Sequence, residues 1–324
     1  MNLKSLIKSL QEFEGVTRKK SIGIVTNILD DVYNISGNVI IENGDDASVI
    51  DIGNNQVILF ATDGIWEKLV ESNPYWAGYC SVLVNVNDIA AMGGKPLAMV
   101  NILSVENDEI YNDILLGIKD GCLKFGVPMV GGHLHPDADS NSLGVSIIGI
   151  AQKDKIIRSD TANIADKIIV GIDLDGKPHH EFNLNWDTTY DKDPELVQNQ
   201  ITAIQSLAEN DLFTAGKDIS NPGILGTLEM LLESSKKGAI VDLEKVPKKQ
   251  DIDWEQWFKS YPGSGFVFTA NEKDCDQIIN YLKKFSIESA VVGEIINDDK
   301  LYLSCKDEKL VLFDQKINPV FKSN

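Results

Sequence analysis

The chain has 324 residues, of which 43% are hydrophobic, and this predicts a folded protein of two domains with cores of ordinary size. Its 49 acidic and 30 basic residues give a formal net charge of -19. We therefore expect neither nucleic acid nor an anionic membrane surface as the main partner, because either would need a basic face. The 4 cysteines form no Cys-x-x-Cys pair and indicate neither a zinc site nor a disulfide scaffold.

The chain begins with a predicted amphipathic helix over residues 1–13, in which Leu3, Ile7 and Leu10 share one face. This pattern lacks the continuous apolar core of a signal peptide. No later apolar run approaches the length of a membrane span. The expected location is the cytoplasm.

A hairpin is predicted next, from apolar runs at 47–52 and 56–61 separated by the turn signal Gly53-Asn54-Asn55. In an antiparallel pair, the start of the first strand lies beside the end of the second. Asp46 and Asp63 stand at those two ends. The spacing therefore predicts that these carboxylates converge on one edge of a sheet.

A helix is predicted over residues 75–92, closed by Gly93-Gly94. Asn85 and Asp88 are three residues apart and share one face of it. A solvated face is the alternative interpretation of this polar stripe. We favour a functional site, because the apolar residues around the stripe leave little surface for solvent.

The remaining elements alternate between strands and helices, which favours a mixed α/β architecture with a first domain at 1–155 and an α+β second domain at 156–324. Asp193 and Pro194 are the favoured N-cap and first residue of a further helix, and 173–193 reads as a loop. Strands are predicted at 97–103, 127–130, 143–151, 266–270, 289–296, 300–305 and 310–313, and helices at 108–125 and 274–285.

Asp218 precedes the apolar run 224–232. We expect it at a helix start, where free backbone amides attract phosphate or a metal-phosphate complex. N-capping by Ser220 or Asn221 is the alternative.

Aspartates in four separate segments carry the chemistry of this chain. Oxygen ligands of this kind suit a hard divalent cation held against a polyphosphate. Only Arg18 and Arg158 supply guanidinium groups, so metal ions, lysines and backbone amides must neutralise the phosphates. The segments are Gly44-Asp45-Asp46, Thr62-Asp63-Gly64, Asn85 to Asp88, and Lys217-Asp218.

These segments also carry a resemblance. The run from Gly44 to Ile50, the run from Asn85 to Gly94 and Gly131-Gly132-His133 resemble, in order, the motifs of the aminoimidazole ribonucleotide (AIR) synthase superfamily. That superfamily includes selenophosphate synthetase and thiamine monophosphate kinase, and the chain mixes features of both. It most resembles the archaeal AIR synthase-related group called methanogenesis marker protein 2.

The resemblance implies a two-domain α+β fold, in which first domains pair into a barrel to form a homodimer, and ATP bound with Mg²⁺ in a cleft. A small molecule would be the substrate. By motif, Mg²⁺ would be held by Asp45, Asp46, Asp63, Asp88 and Asp218. The nucleotide complex would be bound by Asp46, Asp63, Asn85, Asp88, Gly131, Gly132 and Asp218, and the catalytic candidates are His133, Lys19 and Lys20.

Several of these candidates have ordinary alternatives. His133, with His135 and Asp137, could polarise a substrate or bind a metal, or could lie in a surface loop without a role. Lys19 and Lys20 could equally form a solvated turn. His179 and His180 are weaker candidates.

The interpretation that we favour is a magnesium-dependent, ATP-using enzyme that phosphorylates or activates a small molecule. A non-catalytic ATP-binding component of a maturation assembly in a methanogen is one alternative, and thiamine monophosphate kinase is another. His133 stands where that kinase has an acid, and this counts against the interpretation as thiamine monophosphate kinase. The first cysteine is Cys80, so selenide activation is not expected.

Overall fold

A computed structural model describes residues 2–29, 31–33, 35–41, 44–136, 138–261, 263 and 265–321. The first half contains α1 Leu3–Gln11, α2 Glu14–Thr17, a 3₁₀ turn Arg18–Ser21, α3 Ile22–Leu29, β1 Val39–Ile41, β2 Ser48–Gly53, β3 Gln56–Gly64, α4 Glu67–Ser72, α5 Pro74–Ala91, β4 Lys95–Ser104, α6 Asp108–Phe125, β5 Met129–His135 and β6 Ser142–Gln152.

The second half begins with a strand that the sequence patterns did not predict, β7 Lys167–Ile172. The remaining elements are β8 Lys177–Pro178, β9 Trp186–Asp187, α7 Pro194–Glu209, β10 Ala215–Asp218, α8 Gly223–Ser235, β11 Gly238–Asp242, α9 Trp254–Lys259, β12 Gly265–Ala270, α10 Cys275–Lys283, β13 Glu288–Ile296, β14 Lys300–Cys305 and β15 Glu308–Asp314, with 3₁₀ turns at Leu243–Lys245 and Glu272–Asp274.

The first sheet has six strands in the order β1-β2-β3-β6-β4-β5, with β4 and β5 parallel and the other neighbours antiparallel. Helices α5 and α6 cover one of its faces. They approach closely because glycine stands at their contact: a Cβ on Gly117 would lie 1.9 Å from the carbonyl oxygen of Tyr75. The opposite face exposes apolar side chains, among them Phe60 and Ile102.

The second sheet has seven strands in the order β10-β12-β7-β13-β11-β14-β15. Alternate side chains of β12 enter two cores. Phe266 and Phe268 join the core that continues into the first sheet, whereas Val267 faces the core formed with α8 and α1. The first of these cores therefore contains residues of both halves of the chain. The boundary near residue 155 falls between β6 and β7 and stays a prediction.

This architecture confirms the expected mixed α/β, two-domain fold. The hairpin, the helix that begins at Pro194 with Asp193 as its cap, and the helix Asp108–Phe125 followed by a left-handed Gly126 are confirmed. No helix in the described ranges is both long and apolar enough to cross a membrane.

Two local predictions were wrong. The strand expected to end at residue 130 continues to His135, because β4 offers it a parallel partner along its whole length. Asp218 does not begin a helix: it ends the buried strand β10, and α8 starts only at Gly223. No side-chain cap is recorded for α8, so Ser220 and Asn221 do not cap it. Asp137 lies outside the described residues.

Candidate metal and phosphate site

Three carboxylates from distant segments meet between the two sheets. Asp46 lies in the loop before β2, Asp88 on α5 and Asp218 at the end of β10. One oxygen from each lies within 4.8 Å of the others. Asp88 reaches this point because α5 crosses the first sheet and also contacts β10. The structure thus brings together acids that are up to 172 residues apart in sequence.

Asp45 and Asp46 are held by contacts to the second half of the chain. Lys217, only 3% exposed, is hydrogen-bonded to Asp46 and lies 3.8 Å from an oxygen of Asp45. The backbone amide of Asp218 donates to Asp46 at 3.2 Å, and that of Ser159 donates to Asp45 at 2.8 Å. Both oxygens of Asp46 and Oδ2 of Asp45 are thereby engaged by the second half of the chain.

Asp63 and Lys19 lie on the other side of the cluster. Burial raises the pKa of Asp63, while the charge of Lys19 opposes this and Asp46 adds to it. Burial lowers the pKa of Lys19, against the attraction of Asp63, Asp218 and Asp88. Lys19 is therefore the cation that faces the carboxylates from the N-terminal segment, whereas Lys20 is exposed.

The electrostatics of the cluster are those of crowded carboxylates. Burial, followed by the charges of Asp63 and Asp218, raises the pKa of Asp88 well above its ordinary value. The pKa of Asp218 is raised in the same direction by burial and by Asp46. Burial also raises the pKa of Asp45 to about 6, although Lys217 opposes it. Such shifts mark sites where a cation would be stabilised.

The residues present fit a hard divalent cation. The donor set consists of carboxylate oxygens, which Mg²⁺ prefers, and the carboxylates are too close together to remain ionised without a counter-charge. Asn85, one turn earlier on α5, is fully buried. Its amide nitrogen donates to the carbonyl oxygen of Ser81 at 2.8 Å, and its Oδ1 has no partner among the described residues. It is a further neutral oxygen donor.

A cavity of about 610 Å³ opens beside the carboxylates. Asp63, Asp218 and Lys19 form part of its wall. The remaining wall combines aromatic, amide and apolar groups with one guanidinium group. These lining residues include Arg18, Trp66, Leu69, Cys80, Val84, Asn185, Asn221 and Tyr261.

Gly131, Gly132 and His133 are not brought to the carboxylates. Gly64 pairs with Gly144, Gly144 with Ile102, and Ile102 with His133, so His133 lies three strands away from the end of β3. At roughly 4.8 Å per strand this is about 14 Å. His133 and His135 lie exposed in strand β5, with ring centroids 4.6 Å apart, and not in the loop expected from sequence.

The glycine pair has a packing explanation in the strand. A Cβ on Gly132 would lie 1.7 Å from Oδ1 of Asn101 on the neighbouring strand, whereas one on Gly131 would meet only Val100, at 3.9 Å. Gly132 is therefore required by the contact with Asn101. This contact gives no evidence for or against a nucleotide at the pair.

The two remaining histidines lie elsewhere. His179 stacks on Trp76 with ring centroids 4.8 Å apart, and burial lowers its pKa. His180 and Glu181 are exposed beside it. A ligand atom of each of these three neighbours lies within 4.8 Å of the others. However, Nδ1 of His179 already accepts the Glu181 amide at 3.3 Å.

Sequence reasoning missed Lys217 as a member of the site. It is buried, and although burial lowers its pKa, Asp46 and Asp45 outweigh this and raise it. The only signal in the sequence was its place directly before Asp218.

The fold is that of the AIR synthase-like class. The family models described as AIR synthase related protein, N-terminal domain, and AIR synthase related protein, C-terminal domain, match residues 44–151 and 141–306. The chain belongs to the AIR synthase-related family.

Among its relatives, the chain is 50% identical to protein MJ0640 of Methanocaldococcus jannaschii over 97% of both chains. It is 31% identical to the selenide, water dikinase of Colwellia psychrerythraea over 63% of this chain and 60% of that protein. Assignment to the methanogenesis marker group stays a prediction.

Solved structures share the fold. PurL of T. maritima complexed with ATP superposes with a TM-score of 0.73 at 20% identity, over 86% of this chain and 47% of that one. AaThiL complexed with AMPPCP and TMP gives 0.65 at 17% identity, over 97% and 99% of the two chains. The chain thus spans about half of PurL and nearly all of AaThiL.

Proposed function

We propose that this protein is a magnesium-dependent enzyme that uses ATP to phosphorylate or activate a small molecule. One observation carries the proposal: Asp46, Asp88 and Asp218, from three separate elements, place oxygens within 4.8 Å of one another beside a cavity. Asp218 is buried, and Asp46 and Asp88 are half-buried. Their mutual repulsion costs free energy unless a cation compensates it.

The charges of the site define what it can bind. The carboxylates outnumber the two lysines, Lys19 and Lys217, so a polyphosphate alone would be repelled. Asp46, Asp88 and Asp218 would hold Mg²⁺, with Asp45, Asp63 and Asn85 next to them. When bound, the metal would neutralise phosphate oxygens and orient the phosphates for transfer.

Side chains of the protein would supply a positive charge for the transferred phosphoryl group and a wall that excludes water. Lys19 brings a mobile point charge to the edge of the cavity, where it would neutralise charge on the transferred phosphoryl group. The aromatic and apolar wall of the cavity would exclude water from the acceptor. PurL with bound ATP and the selenide, water dikinase support ATP as the phosphoryl donor.

Binding of Mg-ATP to the Asp88→Asn variant tests the site. We expect the change to weaken binding about 10–100-fold in calorimetry, because a ligand charge is lost. Asp175→Asn is the control, since the Asp175 side chain is highly exposed and is not one of the clustered acids. Equal affinities of both variants and the unchanged protein would remove Asp88 from the site.

Turnover separates the enzyme from a nucleotide-binding component. We expect slow basal ATP hydrolysis that rises when a protein-free metabolite extract is added. Binding without stimulated turnover would favour the non-catalytic alternative. Efficient diphosphate formation from thiamine monophosphate would instead identify the kinase.

A second copy of the chain is proposed as the partner. The open face of the first sheet exposes Phe60 at 47% and Ile102 at 53%, and Val100 and Ile148 extend the same apolar surface. The edge strand β5 adds unpaired backbone groups beside it. A self-complementary contact through this face would bury both features.

A further inference from the structure

The last described residues of the chain are tied into the protein interior. Val320 is 1% exposed and Phe321 4%. Both backbone amides donate to the carboxylate of Glu233, Phe321 at 3.1 Å. A buried carboxylate that accepts two N–H groups forms strong, directional bonds. The segment is therefore held at a fixed place on α8.

The ring of Phe321 covers the beginning of the metal-binding loop. A Cβ built on Gly44 would lie 3.4 Å from Cζ of this ring. Gly44 has a φ of +112°, which other residues rarely adopt. The ring thus packs near the glycine that directly precedes Asp45.

A second contact reaches the same loop from the same end of α8. The hydroxyl of Ser235 donates to the carbonyl oxygen of Ser159 at 2.8 Å, and the amide of Ser159 donates to Asp45 at 2.8 Å. Glu233 and Ser235 are two residues apart on α8. The C-terminal end of this helix therefore fixes the Gly44-Asp45 turn on two sides.

We propose that residues 320–321 form a strap that holds the Asp45-Asp46 loop against the other carboxylates, with Phe321 as a positioning residue. The proposal rests on the proposed function, because the loop matters as part of a magnesium site. Asp88 and Asp218 repel Asp46, and without the strap only Lys217 and the amides of Asp218 and Ser159 would hold the loop against this repulsion.

Three variants test the strap. Phe321→Ala removes the ring from Gly44, Phe321→Leu restores part of the contact, and Val320→Ala is the matched control. Val320 is equally buried and bonded to the same Glu233, but the ring contact with Gly44 belongs to Phe321.

The readouts are Mg-ATP affinity by calorimetry and amide hydrogen exchange at residues 45–47. We expect Phe321→Ala to weaken binding by about tenfold or more and to speed exchange in the loop. Phe321→Leu should recover much of both, and Val320→Ala should change neither by more than about twofold. Equal effects of Val320→Ala and Phe321→Ala, or no effect of either, would overturn the strap. If the unchanged protein binds no Mg-ATP, the proposed function fails, and the exchange comparison still decides the strap.

Discussion

Replacement of Lys217 by methionine tests the charge balance on which the site depends. The lysine is 3% exposed and pairs with Asp46 and Asp45, which are themselves buried. Methionine keeps most of the volume and removes the charge. Loss of one partner of a buried ion pair costs about 3–5 kcal/mol, because the remaining charge is left uncompensated. Protonation of Asp45, whose pKa is already raised to about 6, would bring the cost toward the lower end.

The assay is urea unfolding of the purified protein with and without Mg²⁺. The control is Lys153→Met, because Lys153 pairs with Asp51 at 2.6 Å with side chains 46% and 29% exposed. Such a surface pair contributes about 0–1 kcal/mol. We expect Mg²⁺ to stabilise the Lys217 variant more than the unchanged protein. Equal losses in the two variants, or a Lys217 variant insensitive to Mg²⁺, would refute the reasoning.

Three further outcomes are expected. Burial raises the pKa of Asp45 from 3.8 to about 6, so between these pH values the folded chain keeps a proton that the unfolded chain releases. Without metal, the free energy of unfolding should therefore fall as the pH rises from 3.8 to about 6, and urea titrations at stepped pH measure this fall. Lys19→Met should slow ATP turnover at least tenfold while its neighbour Lys20→Met changes it little, and steady-state rates that fall equally would contradict the assignment. Ile102→Lys should shift the sedimentation coefficient from dimer to monomer, and an unchanged coefficient would exclude this face as the interface.

Local sequence patterns were sufficient to predict the elements whose turn and capping signals lie within the element or at its ends. The hairpin of β2 and β3 follows from two apolar runs and a turn of Gly53-Asn54-Asn55, in which both asparagines adopt positive φ. Helix α5 follows from a mostly apolar segment that begins with Pro74, has no later proline and is closed by a left-handed Gly93. These signals lie within a few residues of the structure that they specify.

The errors arose where a distant partner decided the outcome. The run around His133 became a strand because β4 pairs with it, although its two glycines read locally as a loop. Asp218 became the end of a strand because β12 pairs with β10. In both cases the pairing partner lies in a separate strand with a helix or longer segment in between, so local propensity could not show it.

The class of fold, the order of the motifs and the acids available to a cation can all be read from the residues in chain order. Which of these acids meet depends on the packing of distant segments: Asp46, Asp88 and Asp218 converge with Lys217, while His133 remains on an exposed strand. The reason is physical. Residue type and spacing fix local conformation, but the distance between charges, and hence their pKa values and their affinity for a metal, depends on how the two sheets and α5 pack together.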